Sequence, residues 1–318
     1  MQHLVRHGLL GTVVEVLVGP FGDPSEHHDE DLDAAGSETI AETAFETITE
    51  LESVFSAYDD SSDRQRWKRG ERADLHPSFC RAMADALAWQ QRSAGAFNPA
   101  IGVLTARWQR AELDGVVPSA DELGHLADTI RAPRFTIDAE GRPRPIGDVR
   151  PLNLNAFVKG WIVDRAAEAA VRYALGLGVV VNAGGDLRHA GVGSVLAGVE
   201  NPLRPYDNEP PAAVVPVSGE GLATSGRARR GVRVGGRWFG HVIDPRSGWP
   251  VDAIASISVV APDAATADVV ATVAGVEAPA LAPACADGFD VACLVIDVDG
   301  AHHANAAWTS RTEGASAR

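Results

Sequence analysis

The sequence predicts an α+β fold, in which helices and strands mix along the chain without a regular βαβ repeat. Three observations carry that expectation. Ile40, Ala44, Ile48, Leu51 and Phe55 recur at the spacing of one helix face. Apolar, β-branched runs at 12–18, 179–181 and 256–261 read as buried strands. Hydrophobic residues make up 45% of the 318 residues, enough for a sizeable core. The length suits one large domain or two interlocked ones; a single domain spanning 1–318 is expected, with 23–36 as an acidic loop and 309–318 as a frayed tail.

The elements follow in order. A first strand is expected near 12–18. DPSEHHDEDLD (23–33) is a solvated acidic stretch, although His27 and His28 could ligate a metal. Ser37 reads as the N-cap of the helix through Phe55. Residues 59–71 are polar and loop-like. Ser78 is expected to cap a second helix to Arg92, broken by SAGAFNP at 93–99. Ser119 and Glu122 form a capping box for a short third helix. Residues 133–150 read as strand, glycine turn and strand. Asn155 is expected to cap a helix to about Leu175, stopped at Gly176. The strand at 179–181 runs into Asn182-Ala183-Gly184-Gly185-Asp186. Five prolines make 201–216 a surface connection. Gly235-Gly236 joins two short strands as a hairpin. A strand at 256–261 precedes a helix capped by Asp263 and ending at Gly275.

Composition excludes some classes. The net charge of −15 and pI near 5.0 argue against a nucleic-acid or anionic-membrane binder. No apolar run reaches the ~18 residues of a membrane span. Cys80, Cys285 and Cys293 form no CxxC pair and suit free thiols in a reducing compartment. Glu15 interrupts the apolar N-terminal run, and neither a small-residue cleavage site nor an early cysteine follows. A cytoplasmic location is expected.

Five stretches can carry chemistry. Asp268 and Thr272 lie four apart on one helix and offer hard oxygen ligands suited to Mg²⁺; an ordinary cap-proximal Asp with a back-bonding Thr would look the same. Gly184 and Gly185 after a strand let the backbone turn sharply and cradle an anion, or simply turn. In NLNAFVKGWIVD, Lys159 and Asp164 lie near a helix start, where a Lys opposes the helix dipole; this hints at a phosphate or carboxylate partner, or Lys159 is simply an exposed Lys. Thr224-Ser225-Gly226, followed by Arg227, Arg229 and Arg230, suits phosphate or forms a charged loop. The strand-end His241-Val242-Ile243-Asp244-Pro245 either makes a plain turn or presents His241 and Asp244 to a ligand. Rossmann, Walker A, GxSxG, HExxH and paired CxxC signatures are absent.

Taken in order, these stretches resemble the FAD:protein FMN transferase (ApbE-type) family. Leu10-Gly11-Thr12 is similar to its Met-Gly-Thr opening, and Phe55-Ser56-Ala57-Tyr58 to its Phe-Ser-x-Tyr. SAGAFNPAIGVL resembles Ser-x-Gly-Ala-Phe-Asp-Pro-x-x-Gly-x-Leu, and NLNAFVKG resembles its Asp-Leu-Gly-Gly-x-Ala-Lys-Gly. VNAGGD, ATSG, HVIDPRSGWPV and VVAPDAATADVVAT complete the set, from Gly11 to about Gly300. The resemblance implies a T-fold-like α+β architecture and a Mg²⁺-dependent transfer of FMN from FAD to a Thr or Ser hydroxyl of an acceptor protein, releasing AMP. Such acceptors carry a Ser/Thr-Gly-Ala-Thr type motif, which this chain lacks. Some members hydrolyse FAD to FMN and AMP instead; a non-catalytic FAD-binding protein is the third alternative.

The resemblance further implies Mg²⁺ ligands at Asp268, Thr272 and the carbonyl of Ala156. It implies FAD contacts at Leu10, Tyr58, Ala96, Phe97, Asn98, Asn153, Lys159 and Ile243. Asp164, Gly184, Gly185, Asp186, Thr224, Ser225 and Gly226 are carried as further cofactor-binding candidates, with His241 and Asp244 as catalytic ones. His241 is the expected general base, because imidazole as a residue type titrates near neutrality. Asn98 and Asn153 stand where the family has Asp, Asn155 and Ala156 where it has Gly, and Ser-Gly-Arg-Ala-Arg-Arg replaces Ser-Gly-Asp-Tyr-Arg-Arg.

Overall fold

A computed structural model describes residues 1–21, 34–147, 152–206, 208–227 and 231–316. The acidic stretch 23–33 with His27 and His28, and Arg229 and Arg230, lie outside the described residues.

Strands β1 (Gln2–Leu9) and β2 (Thr12–Gly19) open the chain, so the expected first strand has an earlier partner. Alternating residues of β1 are half-exposed, which hides it from a search for apolar runs. Helix α1 (Ala34–Phe55) begins before Ser37, which is buried inside it rather than capping it. Within the expected loop 59–71 lies α2 (Asp63–Arg69), capped by Ser62 and anchored by the fully buried Trp67. For α3 (Pro77–Arg92) the cap is the His76 side chain, which accepts from the Ser78 N–H; Ser78 is already helical. Helix α4 (Gly102–Asp114) was not expected. Ser119 caps α5 (Ala120–Ile130) as expected, and β3 (Phe135–Ile137) pairs with β4 (Pro143–Pro145).

Helix α6 (Val158–Val171) starts after Phe157 and has no side-chain cap. Asn155 instead donates its N–H to Asn153 Oδ1 at 3.0 Å, an Asx turn that lies ahead of the helix. Strands β5 (Gly178–Ala183) and β6 (Asp186–Gly191) flank the Gly184-Gly185 turn. Next come β7 (Val195–Val199) and β8 (Ala213–Val217); β8 takes over the end of the expected proline-rich connection. β9 (Gly221–Gly226) precedes the expected hairpin of β10 (Gly231–Val234) and β11 (Arg237–Gly240). β12 (Ile254–Ala261) leads into α7 (Ala264–Gly275), capped by Asp263 as expected. α8 (Ala282–Asp287), β13 (Ala292–Asp297) and β14 (His302–Ala304) follow. The expected frayed tail is α9 (Ala306–Ser316), held by Trp308, 3% exposed.

Eight strands form one antiparallel sheet in the order β1-β2-β5-β6-β9-β12-β13-β14 among the described residues. Side chains alternate between the faces of a strand. Val14, Val16, Val18, Val179, Val181 and Ala183 pack on α1 and α6 in the main core. Leu222, Val260, Leu294 and Ile296 face the other way, against β7, β8 and Trp308. Glu15, Leu17, Val180, Asn182, Leu187 and Thr224 belong to that second face too, and line a cleft.

Two glycines let α7 seat against its neighbours. A Cβ on Gly160 of α6 would lie 2.4 Å from Ala264 O, and one on Gly221 of β9 would lie 2.2 Å from Ala264 N. Both obstacles are backbone, so neither can swing aside. Gly160→Ala should therefore destabilise the protein by about 2–3 kcal/mol by overpacking, overriding the ~1 kcal/mol helix-propensity gain. Urea unfolding of the two proteins measures this; equal midpoints would mean α6 and α7 are not in contact here.

Candidate active site

Helices α4 and α5 and the β10–β11 hairpin make a small core from Leu104, Trp108, Leu123, Ile130, Val234, Phe239 and Ile243. This core shapes the segment after β11. Trp108 Nε1 donates to Gly248 O at 2.9 Å, and Gly248 has φ 77°, a left-handed value suited to glycine. The chain doubles back, with Ile243 bridging Pro250 and Val251 N donating to Val242 O at 2.9 Å. His241, at the start of the segment, is exposed and lines the cleft. Asp244 does not line it. Its Oδ1 accepts from Arg246 N at 2.9 Å and Arg246 Nε at 2.8 Å, while Arg246 Nη1 donates to Glu277 at 2.8 Å. Asp244 thus clamps the turn that follows His241.

The cleft has a volume of about 850 Å³. It gathers Ala96, Phe97, Asn98, Asn153, Ala156, Lys159, Gly184, Gly185, Asp186, Thr224, Ser225, Gly226, His241, Ile243, Asp268 and Thr272. These come from six separated stretches of sequence. Leu10, Tyr58 and Asp164 are not in the lining. Leu10 takes φ 52° at the β1–β2 turn and donates its N–H to Glu52 at 2.9 Å. Tyr58 is 97% exposed beyond the end of α1.

Two amides are spent on shaping the cleft wall. Asn98 donates to Ile130 O and accepts from Ala100 N, at 2.8 and 2.9 Å. Asn153 accepts from Asn155 N, and its own N–H donates to Pro99 O at 2.8 Å, tying the two loops together.

Three residues of α6 organise the rest. Lys159 Nζ donates to Ala183 O at 3.0 Å and Gly184 O at 3.3 Å, and pairs with the buried Asp186 at 2.9 Å. Its charge holds the Gly-Gly turn, a role not foreseen from its place near a helix start. Gly160 admits α7. Asp164, 3% exposed, accepts from Ala264 N and Ala265 N at 2.8 and 2.9 Å. With Asp263 accepting from Thr266 N, two carboxylates satisfy the first N–H groups of α7. Burial pushes the Asp164 carboxyl up to about 6, against the pull of those two N–H bonds; Asp263 raises it and Arg188 lowers it.

Sequence reasoning missed Thr12, Glu15 and Asn182. Asn182 Nδ2 donates to Glu15 Oε2 at 2.9 Å, and Asn182 Oδ1 accepts from Gly185 N at 3.3 Å. A usable signal existed: Glu15 interrupts an apolar run at a position out of phase with the buried Val14 and Val16.

Among the described residues, no cluster of three or more His, Cys, Asp and Glu is placed to hold a metal. An ion here would take fewer of these side chains and more neutral oxygens. Asp268, 9% exposed, and Thr272 share a helix face that borders the cleft with Ala156. One carboxylate with neutral oxygens fits Mg²⁺, which usually keeps waters and takes substrate phosphates as its remaining ligands.

The family model described as ApbE family matches residues 10–295. A Haemophilus influenzae protein named FAD:protein FMN transferase is 24% identical over 258 residues, 74% of this chain and 73% of its own. One of the same name from Treponema pallidum is 29% identical over 206 residues, 59% of this chain and 56% of its own. Among solved structures, the ApbE protein of Thermotoga maritima superposes with a TM-score of 0.81 at 22% identity, covering 98% of this chain and 99% of that one. The apo Pseudomonas stutzeri flavinyl transferase ApbE gives 0.76 at 20%, covering 98% and 96%. These likenesses show that the α+β fold is shared.

Proposed function

The chain belongs to the ApbE family, and on that premise we propose that it is a Mg²⁺-dependent FAD:protein FMN transferase. It moves FMN from FAD to a Ser or Thr hydroxyl of an acceptor protein and releases AMP. The observation that carries this reading is the convergence of Asp268, Thr272, Ala156, the Gly184-Gly185 turn and His241 on one cleft.

Phosphoryl transfer depends mostly on positioning and charge neutralisation. Asp268, Thr272 and the Ala156 carbonyl would hold Mg²⁺, which offsets the charge of the FAD pyrophosphate when bound. The acceptor hydroxyl oxygen bonds to the FMN phosphorus. The bond from that phosphorus to the bridging oxygen breaks, and the oxygen leaves on AMP. His241 takes the hydroxyl proton. Asp244 acts behind it, by fixing the turn. Lys159 acts on the Gly-Gly turn rather than as a free cation at the pyrophosphate.

His241 is exposed, so water competes with an acceptor for the same phosphorus; FAD hydrolysis to FMN and AMP is the alternative outcome. The test mixes FAD, Mg²⁺, the protein and a small domain bearing Ser-Gly-Ala-Thr. AMP together with a fluorescent acceptor band supports transfer. AMP with a dark band supports hydrolysis, and intact co-purifying FAD would reduce the protein to a flavin binder. His241→Gln should lower transfer by about 10²–10⁴-fold across pH 6–9, the usual span for a general base. Wild-type rates throughout that range would remove His241 from the base role.

A further inference from the structure

We propose that the outer edge of β7 is the docking strand for the acceptor protein, which adds to it as an extended segment. This rests on the transferase reading above.

Backbone polarity identifies the edge. β7 pairs antiparallel with β8, from Val195↔Val217 to Val199↔Ala213. Val199 O accepts from Ala212 N at 2.8 Å, so the polar groups of Val199 face the β8 side. The N–H and C=O of successive strand residues point to opposite sides. Val195 and Ala197 therefore also face β8, whereas Leu196 and Gly198 direct theirs outward. β7 has no second strand neighbour, and Val195–Gly198 make no backbone bond outside the ladder among the described residues. Leu196, Ala197 and Gly198 follow Val195 in lining the cleft consecutively. A strand does that when it turns its edge, rather than a face, toward a cavity.

The opposite edge is blunted. Pro216 pairs with Leu196, so its missing N–H falls on the outer side of β8, where proline costs no ladder bond. β7 carries no proline. Its open edge is continuous with the candidate active site, where Leu196, 64% exposed, lines the cleft together with Pro202 and Pro205.

Two outward donor–acceptor pairs, spaced two residues apart, match the repeat of an extended polypeptide. A dinucleotide has no such repeat. Main-chain pairing would bring a Ser or Thr flanked by small residues alongside the cleft, with little demand on the acceptor's other side chains.

Amide exchange of the FAD-bound protein, with and without a peptide bearing Ser-Gly-Ala-Thr, tests this. The Leu196 and Gly198 N–H groups should exchange at least tenfold more slowly with peptide than with FAD alone. Leu196→Pro, which removes one outward donor, should raise the peptide concentration for half-saturation at least tenfold, while Leu196→Thr, which keeps it, stays within threefold. Protection by FAD alone would assign the edge to the nucleotide and overturn the proposal. So would concentration-dependent protection without peptide, which means self-association, or flavin transfer to the peptide without protection. Protection without transfer supports docking while counting against the transferase reading.

Discussion

Asp268→Asn is expected to cut AMP release from FAD by a hundredfold or more while the protein stays folded. The side chains are nearly isosteric, and the packing of α7 rests on its other residues, among them Val269, Val270 and Val273, each at most 2% exposed. What changes is the charge on the one carboxylate proposed to hold Mg²⁺. Lewis-acid stabilisation of a phosphoryl oxygen is worth several kcal/mol, and each 1.36 kcal/mol is tenfold in rate, so losing about 3 kcal/mol gives roughly a hundredfold. The deficit should shrink as Mg²⁺ is raised, and EDTA should bring the wild type to the mutant's level. Turnover within threefold of wild type, in a protein with an unchanged melting curve, would remove Asp268 from the proposed metal site.

Asp164→Ala should be the more damaging change to stability. It strips two acceptors from the buried start of α7 and leaves the Ala264 and Ala265 N–H groups unmatched. Each unmet buried donor costs about 1–3 kcal/mol, so a loss near 4 kcal/mol is expected, seen as a lower denaturant midpoint. Turnover should fall as well, because Asp268 lies in the second turn of the same helix. The pH dependence has a definite sign. The folded carboxyl sits at about 6, above its ordinary 3.8, so the folded state binds this proton more readily than the unfolded chain. Its contribution is fully present below about pH 4 and is lost as pH rises through 6. Relative to Asp164→Asn, the wild type should therefore lose stability between pH 4 and pH 7. A stability difference that is flat, or that grows with pH, would contradict the burial of this group.

Much of this was legible in the sequence where the signal is local. Helix α7 was readable because a cap and an uninterrupted apolar stretch both lie within its own residues. The Gly235-Gly236 hairpin was readable from its turn chemistry. α2 and α4 were not: α2 is mostly charged and is fixed by the single buried Trp67, while α4 depends on the core it shares with Phe239 and Ile243. The caps at Ser37 and Asn155 were misassigned for a related reason. A hydroxyl or amide can serve a turn or lie inside a helix equally well, and the neighbours that decide are distant in sequence.

The sequence by itself determined the α+β class, the family and sixteen of the residues that line the cleft, because these follow from periodicity, turn residues and ordered motifs. Only the tertiary structure decided what each charged group does. Lys159 and Asp164 read alike as ligand contacts, but one holds the Gly-Gly turn and the other caps α7. His241 and Asp244 stand three residues apart, but only His241 borders the cleft. A side chain's role depends on which backbone groups it must satisfy once buried, and those partners lie 24 to 101 residues away in this chain.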